Sequence, residues 1–262
     1  MTSPTQVLKS VGPKLVPFFK TVAIYFVLFI PVERPSWFSM VIKCLPIFSL
    51  IIFVLLHGMS FGDEYAFSRR IIVGLLFSAL GDAFLIWKGY FLHGMAAFGV
   101  AQIMFSFAFG FKPLKPKLGA FLYCISAIAN YIILPGLHGS LMIGVPIYNF
   151  LLMTAVWRAM ARVQFFEDLW TWTKLCSCAG TLLFAVSDGL IALHHFVTPI
   201  GYSQALIMVT YYAAQVGIAL SVVDSRHTFM EAKNREAAAA LEQKTSTESK
   251  PLKSKKAIAT AH

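Results

Sequence analysis

The sequence predicts an all-α, polytopic integral membrane protein, a bundle of eight transmembrane helices with both termini cytosolic. Its composition is the first observation: 58% of residues are hydrophobic and 13% are charged, whereas soluble domains are about 45–50% apolar and about 25% charged. The second is that apolar residues form long runs between short polar breaks, each near the ~20 residues that cross a bilayer. The third is that Lys and Arg residues cluster in alternate loops, as the positive-inside rule describes.

The eight apolar runs are separated by turn-forming residues such as Pro31, Gly62, Gly89, Pro113 and Pro135. Only helices and closed barrels satisfy the backbone inside lipid, and these runs are too long for barrel strands. We therefore predict helical spans at residues 15–32, 37–57, 70–87, 90–111, 117–135, 140–160, 174–194 and 202–223.

The loop charges give these spans a direction. With eight spans, 19 of the 22 Lys and Arg residues lie on the side of the termini, Arg34 and Lys88 lie on the other side, and Lys43 lies inside the second span. Positively charged loops stay in the cytosol. We therefore predict a cytosolic N-terminal segment at 1–14, a transmembrane domain at 15–225 and a basic, disordered cytosolic tail at 226–262.

Within the tail, residues 230–244 have a helical, charged pattern. The tail is predicted either to lie against anionic lipid or to be solvated without a specific role.

Several classes of function do not fit. The formal charge of +10 is spread over loops and tail, so it is not the basic face of a nucleic-acid-binding domain. The four cysteines lie in apolar runs without metal-ligand spacing, and we predict buried thiols. They are Cys44, Cys124, Cys176 and Cys178.

Two apolar runs each carry one carboxyl group. GLLFSALGDAFLIW at 74–87 contains Asp82, and LLFAVSDGLIAL at 182–193 contains Asp188, each directly after a small residue. Ionisable groups inside membrane segments are costly and mark functional sites by default. The shared small-Asp step also suggests a duplication into two parallel four-span halves.

Depth places further polar residues beside these acids. At 1.5 Å per residue, Asp82, Asp188 and Lys43 lie roughly 8–9 Å below the non-cytosolic surface. The same half of the membrane receives polar side chains from other spans, which predicts a polar pocket open toward one leaflet. These side chains are Gln102, Asn130, Asn149, Tyr211, Tyr212 and Gln215.

Two acids and one base allow two interpretations. Lys43 could neutralise one acid and simply hold helices together, but the second acid then has no counter-charge. Alternatively, one carboxyl group is ionised and the other protonated, as general acid and base chemistry requires. The pocket then serves either as a hydrolase site or as a proton or ion pathway.

The other polar candidates are weaker. His93, His194 and His195 lie near the same surface, where interfacial, proton-relay or headgroup roles fit, and no HxxxH or HExxH spacing supports a metal site. Without a GxSxG elbow, Ser78 and Ser187 are interpreted as small helix-contact residues.

Five stretches carry a resemblance to a known family: VIKCLPI at 41–47, FSALGDAFLIW at 77–87, FLHGMAAFGVAQIMFSFAFGF at 91–111, FAVSDGLIAL at 184–193 and ALIMVTYYAAQ at 205–215. Through them the chain resembles the lysoplasmalogenase (YhhN-like) family of eight-span membrane proteins, vertebrate type, over about residues 15–225.

This resemblance implies an enzyme that cleaves the vinyl-ether bond of lysoplasmalogens, which are 1-alkenyl-glycerophosphoethanolamine or -choline, into a fatty aldehyde and a glycerophospho-headgroup. It implies the endoplasmic reticulum membrane, no metal and no organic cofactor. The expected partners are the lysophospholipid substrate and membrane lipid, without nucleic acid, and a homo-oligomer is compatible with the sequence.

We predict that Asp82 and Asp188 are the acid/base pair of this reaction, with Lys43 adjusting their proton affinities or holding the phosphate. The predicted substrate-binding residues are Lys43, Tyr211, Tyr212, Gln215, Asn149, Asn130 and His93. The alternatives are an ion-coupled transporter or lipid-binding membrane protein that uses the same pocket, and a metal-dependent lipid amidase that uses His93 or His194.

Overall fold

The chain consists of helices joined by short loops in a computed structural model, which describes residues 4–29, 34–163, 172–223, 225, 229–230, 233–234 and 237–238. It divides into two units, Met1–Ser225 and Arg226–His262. In the second unit the described residues are helical. The other residues of the predicted tail, including most of the predicted helix at 230–244, lie outside the described residues.

The described residues of the first unit form eight α-helices, so the all-α prediction is confirmed. Three short 3₁₀ turns join some of them, at Asp63–Tyr65, Lys88–Tyr90 and Leu134–Gly136. The helices are α1 Pro4–Leu28, α2 Trp37–Leu55, α3 Ala66–Phe84, α4 Phe91–Phe109, α5 Pro116–Ile133, α6 Leu141–Arg162, α7 Trp172–Phe196 and α8 Ser203–Leu220.

The first helix differs most from its prediction. It begins at Pro4, well before residue 15, so it runs through the segment expected to precede the first span. Proline suits the start of a helix because it has no N–H to leave unpaired. Lys14 made this segment resemble a polar tail, yet its ammonium group donates to the carbonyl of Leu56 over 3.5 Å.

Seven of the described helices are long and apolar enough to cross a membrane, and the chain is a multi-pass membrane protein. The helix that falls outside this set is α3, which carries Arg69, Arg70 and Asp82. Both arginines lie near its first turn, where they donate to nearby backbone carbonyls. Because α3 packs against both α2 and α4, it is nevertheless part of the bundle.

The most extensive helix pairs are α3 with α4 and α7 with α8, while α2 contacts α3 and α8, and α6 contacts α4 and α7. The backbones of α7 and α8 come close at Gly180 and Gly217, because a Cβ on Gly180 would lie 2.8 Å from the Ala214 carbonyl oxygen. Small residues allow such close packing in membranes.

One buried arginine fastens the end of the bundle opposite the α1–α2 loop. Arg158 is fully buried in α6, although its charge was assigned to a cytosolic loop. Its guanidinium donates to the carbonyls of Gly110 at 2.6 Å, Pro113 at 2.9 Å and Leu114 at 3.2 Å. It thereby supplies partners to the α4–α5 loop, whose carbonyls have no helical donor.

The prediction of buried cysteines is wrong for one of the four. Cys44 and Cys178 are buried and Cys176 is half-buried, but Cys124 is exposed. Cys124 lies on α5, whose outer face presents Phe121, Ile125 and Ile128. An apolar run on a peripheral helix faces lipid as well as protein, which an apolar pattern alone does not distinguish.

Candidate active site

Asp82 is buried at the contact between α3 and α4, with 2% of its surface exposed. The residue before it makes this contact close. A Cβ at Gly81 would come within 2.6 Å of the Phe98 ring on α4. The small residue of the Gly-Asp step therefore has a packing reason, because it lets α4 cover the acid.

Three helices contribute to the surroundings of the Asp82 carboxylate. The Lys43 ammonium on α2 lies 3.3 Å from Oδ1, and the Tyr211 hydroxyl on α8 donates to Oδ2 at 2.6 Å. A buried charge needs both a counter-charge and hydrogen bonds to offset its desolvation. Asp82 has both, so α2, α3 and α8 meet at this carboxylate.

The turn of α2 that carries Lys43 is held from α8. The Tyr212 hydroxyl donates to the Lys43 backbone carbonyl at 2.9 Å. Three residues further along lies Pro46, which has no N–H, so the Ile42 carbonyl loses its helical donor. Tyr212 thus supports a turn that the proline weakens, and its role is to position Lys43.

Asp188 on α7 is half-buried and has a simpler environment. The Tyr148 hydroxyl on α6 donates to its Oδ2, and no basic side chain pairs with Asp188 among the residues that the structure describes. Tyr148 lies shortly after Pro146 on α6, and Lys43 lies shortly before Pro46 on α2. Each of these two side chains is therefore close to a proline within its own helix. Sequence reasoning missed Tyr148, although it adjoins Asn149 and lies at the same depth as the predicted polar residues.

The two acids line one cavity. Lys43, Tyr148 and Tyr211 line it as well, so the structure joins the two acids, the base and one predicted tyrosine. The rest of the wall is mostly apolar. It includes Leu85, Phe91, Met95, Phe98, Val145, Ile191, Ala192, Phe196, Ile207 and Met208.

Gln215 lies behind this cavity rather than in its wall. It is fully buried on α8 and neighbours Tyr211. Neither atom of its amide has a hydrogen-bond partner in suitable geometry among the described residues. Together with Tyr212, it therefore belongs to the support of the site and not to its surface.

The remaining three predicted substrate-binding residues lie away from the acids. The Asn149 amide donates to the Ser126 carbonyl of α5 at 3.4 Å. Asn130 lies on α5, and the ring of His93 packs against Tyr90 at 5.4 Å. None of the three lines the cavity, because equal depth in the membrane does not fix which way a helix face points.

The other polar candidates have structural contacts. The Ser187 hydroxyl donates to the Ile207 carbonyl at 3.1 Å, so it is a contact between α7 and α8, as predicted. The Nδ1 atom of His194 accepts from the Ile200 amide at 2.9 Å. Within the described part of the chain, no three His, Cys, Asp or Glu side chains converge on a metal position.

Comparison with known proteins finds relatives that cover most of the chain. The model of the YhhN family matches residues 38–222. Lysoplasmalogenase TMEM86A of Bos taurus is 50% identical over 228 residues, which cover 86% of this chain and 95% of that protein. The Homo sapiens TMEM86A lysoplasmalogenase is 47% identical over the same shares.

A second group of relatives is more distant. Lysoplasmalogenase TMEM86B of Sus scrofa is 40% identical over 216 residues, covering 82% of this chain and 88% of that protein. No solved structure matches the chain.

Proposed function

The chain belongs to the YhhN family, and we propose that it is a membrane hydrolase that cleaves the vinyl-ether bond of lysoplasmalogens. The names of its relatives support this reaction. The observation that carries the mechanism is the single cavity with two carboxyl groups in unequal environments, Asp82 and Asp188. Its apolar walls suit an alkenyl chain.

The unequal environments assign the two roles. Asp82 has a cation at 3.3 Å and a phenol at 2.6 Å, so its ionised form is compensated. Asp188 has a phenol but no cation among the described side chains, so ionisation costs it more in a low-dielectric site. We therefore assign Asp188 as the proton donor and Asp82 as the carboxylate that stabilises developing positive charge.

The chemistry runs in two stages. Asp188 transfers its proton to the outer carbon of the vinyl ether, and the adjacent C–O unit becomes an oxocarbenium ion beside Asp82. Water then adds to the carbon bound to oxygen and gives up one proton to a carboxylate, which leaves a neutral hemiacetal. The division of labour resembles that of the two carboxyl groups in glycosidases.

The hemiacetal then collapses. Its hydroxyl loses a proton to the carboxylate of Asp188 as the bond to the glycerol oxygen breaks, and that oxygen takes from Asp82 the proton that water gave up. The products are a fatty aldehyde and a glycerophospho-headgroup, with one water consumed and both carboxyl groups returned to their starting states.

The proposal includes the cellular membrane and the orientation of the enzyme in it. We place the enzyme in the endoplasmic reticulum membrane on its similarity to the vertebrate lysoplasmalogenases, and both termini in the cytosol on the loop charges. The acids then lie in the half of the bundle nearer the lumen.

The test is an assay of purified protein with a lysoplasmalogen in deuterated water, with and without a chelator. We expect a fatty aldehyde carrying one deuterium on the carbon next to the carbonyl, at the same rate in both samples. The aldehyde is reduced at once to the alcohol so that the label is kept.

An aldehyde without deuterium would contradict protonation at carbon. Loss of turnover with chelator would favour a metal-dependent hydrolase. Movement of lipid or ions across vesicles without aldehyde would favour a transporter.

A further inference from the structure

A second cavity, the outer cavity, adjoins the one that holds the acids. It reaches the end of the bundle where the α1–α2 loop, the end of α7 and the start of α8 lie. The two cavities share the wall residues Lys43, Leu85, Phe91, Ile191, Ile207 and Met208.

The polar residues of the outer cavity are basic or neutral. Arg34 and His195 line it and are exposed, while Lys43, with only 13% of its side chain exposed, stands on the shared wall. No Asp or Glu lines it among the described residues. The charge therefore suits an anion that enters from the end of the bundle.

The segment that carries Arg34 is tied to the first turn of α2. The Ser39 hydroxyl donates to the Arg34 carbonyl at 3.3 Å, and the Ser36 hydroxyl caps the helix by accepting from the Ser39 amide at 3.0 Å. The backbone at Arg34 is thus positioned. Its guanidinium makes no hydrogen bond to another described residue, so its donors suit an oxygen-rich anion such as a phosphate.

His195 is oriented toward a similar role. Its Nδ1 lies 3.0 Å from the Ile191 carbonyl, and since a carbonyl only accepts, we assign the Nδ1 proton to this bond. The Nε2 atom is then the ring nitrogen left for a ligand.

We propose that the outer cavity binds the phosphate of the glycerophospho-headgroup, with Arg34 as the main contact and His195 as the second. This inference rests on the proposed function. The substrate then lies with its phosphate in the outer cavity, its vinyl ether beside Asp82 and Asp188, and its chain along the apolar wall. Lys43 lies on the wall that the two cavities share, and its ammonium group pairs with Asp82.

The test compares two substrates in phosphate-free detergent micelles: a 1-alkenyl-glycerophosphoethanolamine and the matching 1-alkenylglycerol, which has no phosphate. Arg34→Gln should lower kcat/KM for the first roughly tenfold to hundredfold, the range of a lost charge-assisted hydrogen bond. The loss should be in KM, and kcat/KM for the alkenylglycerol should not change. His195→Ala should give a smaller effect of the same kind.

The matched control is Lys88→Gln. Lys88 is the other basic residue predicted on that side of the membrane, it is exposed, and it does not line the outer cavity. It should leave both substrates unchanged. Equal losses for Arg34→Gln and Lys88→Gln would indicate general attraction of anions to this surface and would overturn the proposal.

Two further outcomes would also overturn it. Equal losses on the two substrates would mean that Arg34 supports the structure and not the headgroup, and no loss on either would mean that the phosphate lies elsewhere.

A direct binding measurement separates this proposal from the proposed function. Glycerophosphoethanolamine should raise the thermal midpoint of the wild-type protein and not that of Arg34→Gln. If the wild type forms no aldehyde but shows this difference, the proposed reaction fails and the phosphate site stands. If glycerophosphoethanolamine raises both midpoints alike, or neither, the phosphate site fails.

Discussion

Asp82 and Asp188 follow the same local pattern, a small residue and then an acid in an apolar helix, but their surroundings differ. Asp82 is buried against α4 and paired with Lys43 and Tyr211. Asp188 is half-buried and accepts from Tyr148. The comparison shows that the local sequence places an acid in an apolar helix, whereas the facing helices decide which partners that acid has.

The largest expected effects come from removing each acid. Asp82→Asn and Asp188→Asn should each lower kcat by about 10²–10⁴-fold, the usual contribution of a general acid or base. The residual activities should differ in pH dependence. Asp188→Asn removes a group that must be protonated, so it should abolish the fall in rate at high pH. Asp82→Asn removes a group that must be ionised, so it should abolish the fall at low pH.

Rate–pH profiles with lysoplasmalogen check this assignment. Asp63→Asn, at an exposed carboxylate in a loop, is the matched control and should keep both limbs. If Asp188→Asn abolished the fall in rate at low pH and Asp82→Asn the fall at high pH, the roles of the two acids would be reversed. Near-wild-type turnover of either variant would refute the pair mechanism.

The next largest effect concerns the cation that distinguishes the acids. Lys43→Met should destabilise the protein by about 3–5 kcal/mol, because it leaves the Asp82 carboxylate buried without its counter-charge. Adding Asp82→Asn should recover much of this loss, since the remaining group is neutral. Unfolding of the two single variants and the double variant in detergent measures the coupling.

The control for this coupling combines the same lysine substitution with the substitution of the other acid. Asp188→Asn combined with Lys43→Met should show no such recovery, because Lys43 does not pair with Asp188. Equal coupling of Lys43 to both acids would remove the distinction between them.

The smallest effects come from the two phenols. Tyr148→Phe should lower kcat more than Tyr211→Phe, because Asp82 keeps Lys43 when its phenol is lost, whereas Asp188 keeps no described partner. We expect roughly tenfold for Tyr148→Phe, about the value of one hydrogen bond to the negative charge that Asp188 acquires as it gives up its proton. Steady-state kinetics and thermal midpoints of the two variants, which remove the same atom, decide the order.

The fold could be predicted because lipid restricts the backbone to helices and because the breaks between spans are marked by proline, glycine and charge. The start of α1 could not, since Lys14 lies in a helix that extends beyond the apolar run. The contact of Lys43 with Asp82 was only a prediction from equal depth, and the structure places the two groups 3.3 Å apart.

The same depth argument selected Asn130 and Asn149, neither of which lines the cavity, and passed over Tyr148. Depth along the membrane normal follows from residue number, but rotation about a helix axis depends on packing that one sequence does not reveal. Arg34 was missed as a cavity residue for a related reason, because loop and helix-end residues meet only once the helices are assembled. A headgroup role was already one of the alternatives for His195.

Pro46 and Pro146 make two of the helices that carry the site easier to bend than the two that carry the acids. The acids lie on α3 and α7, which contain no proline, whereas Lys43 and Tyr148 lie on α2 and α6, next to turns that lack a backbone hydrogen bond. A lipid chain that wedges between helices therefore deforms the softer turns first, and the carboxyl groups keep their positions. Entry of the substrate then requires only the bending of single turns. Among the helices that carry the site, hydrogen exchange of backbone amides should be fastest just beyond the two prolines.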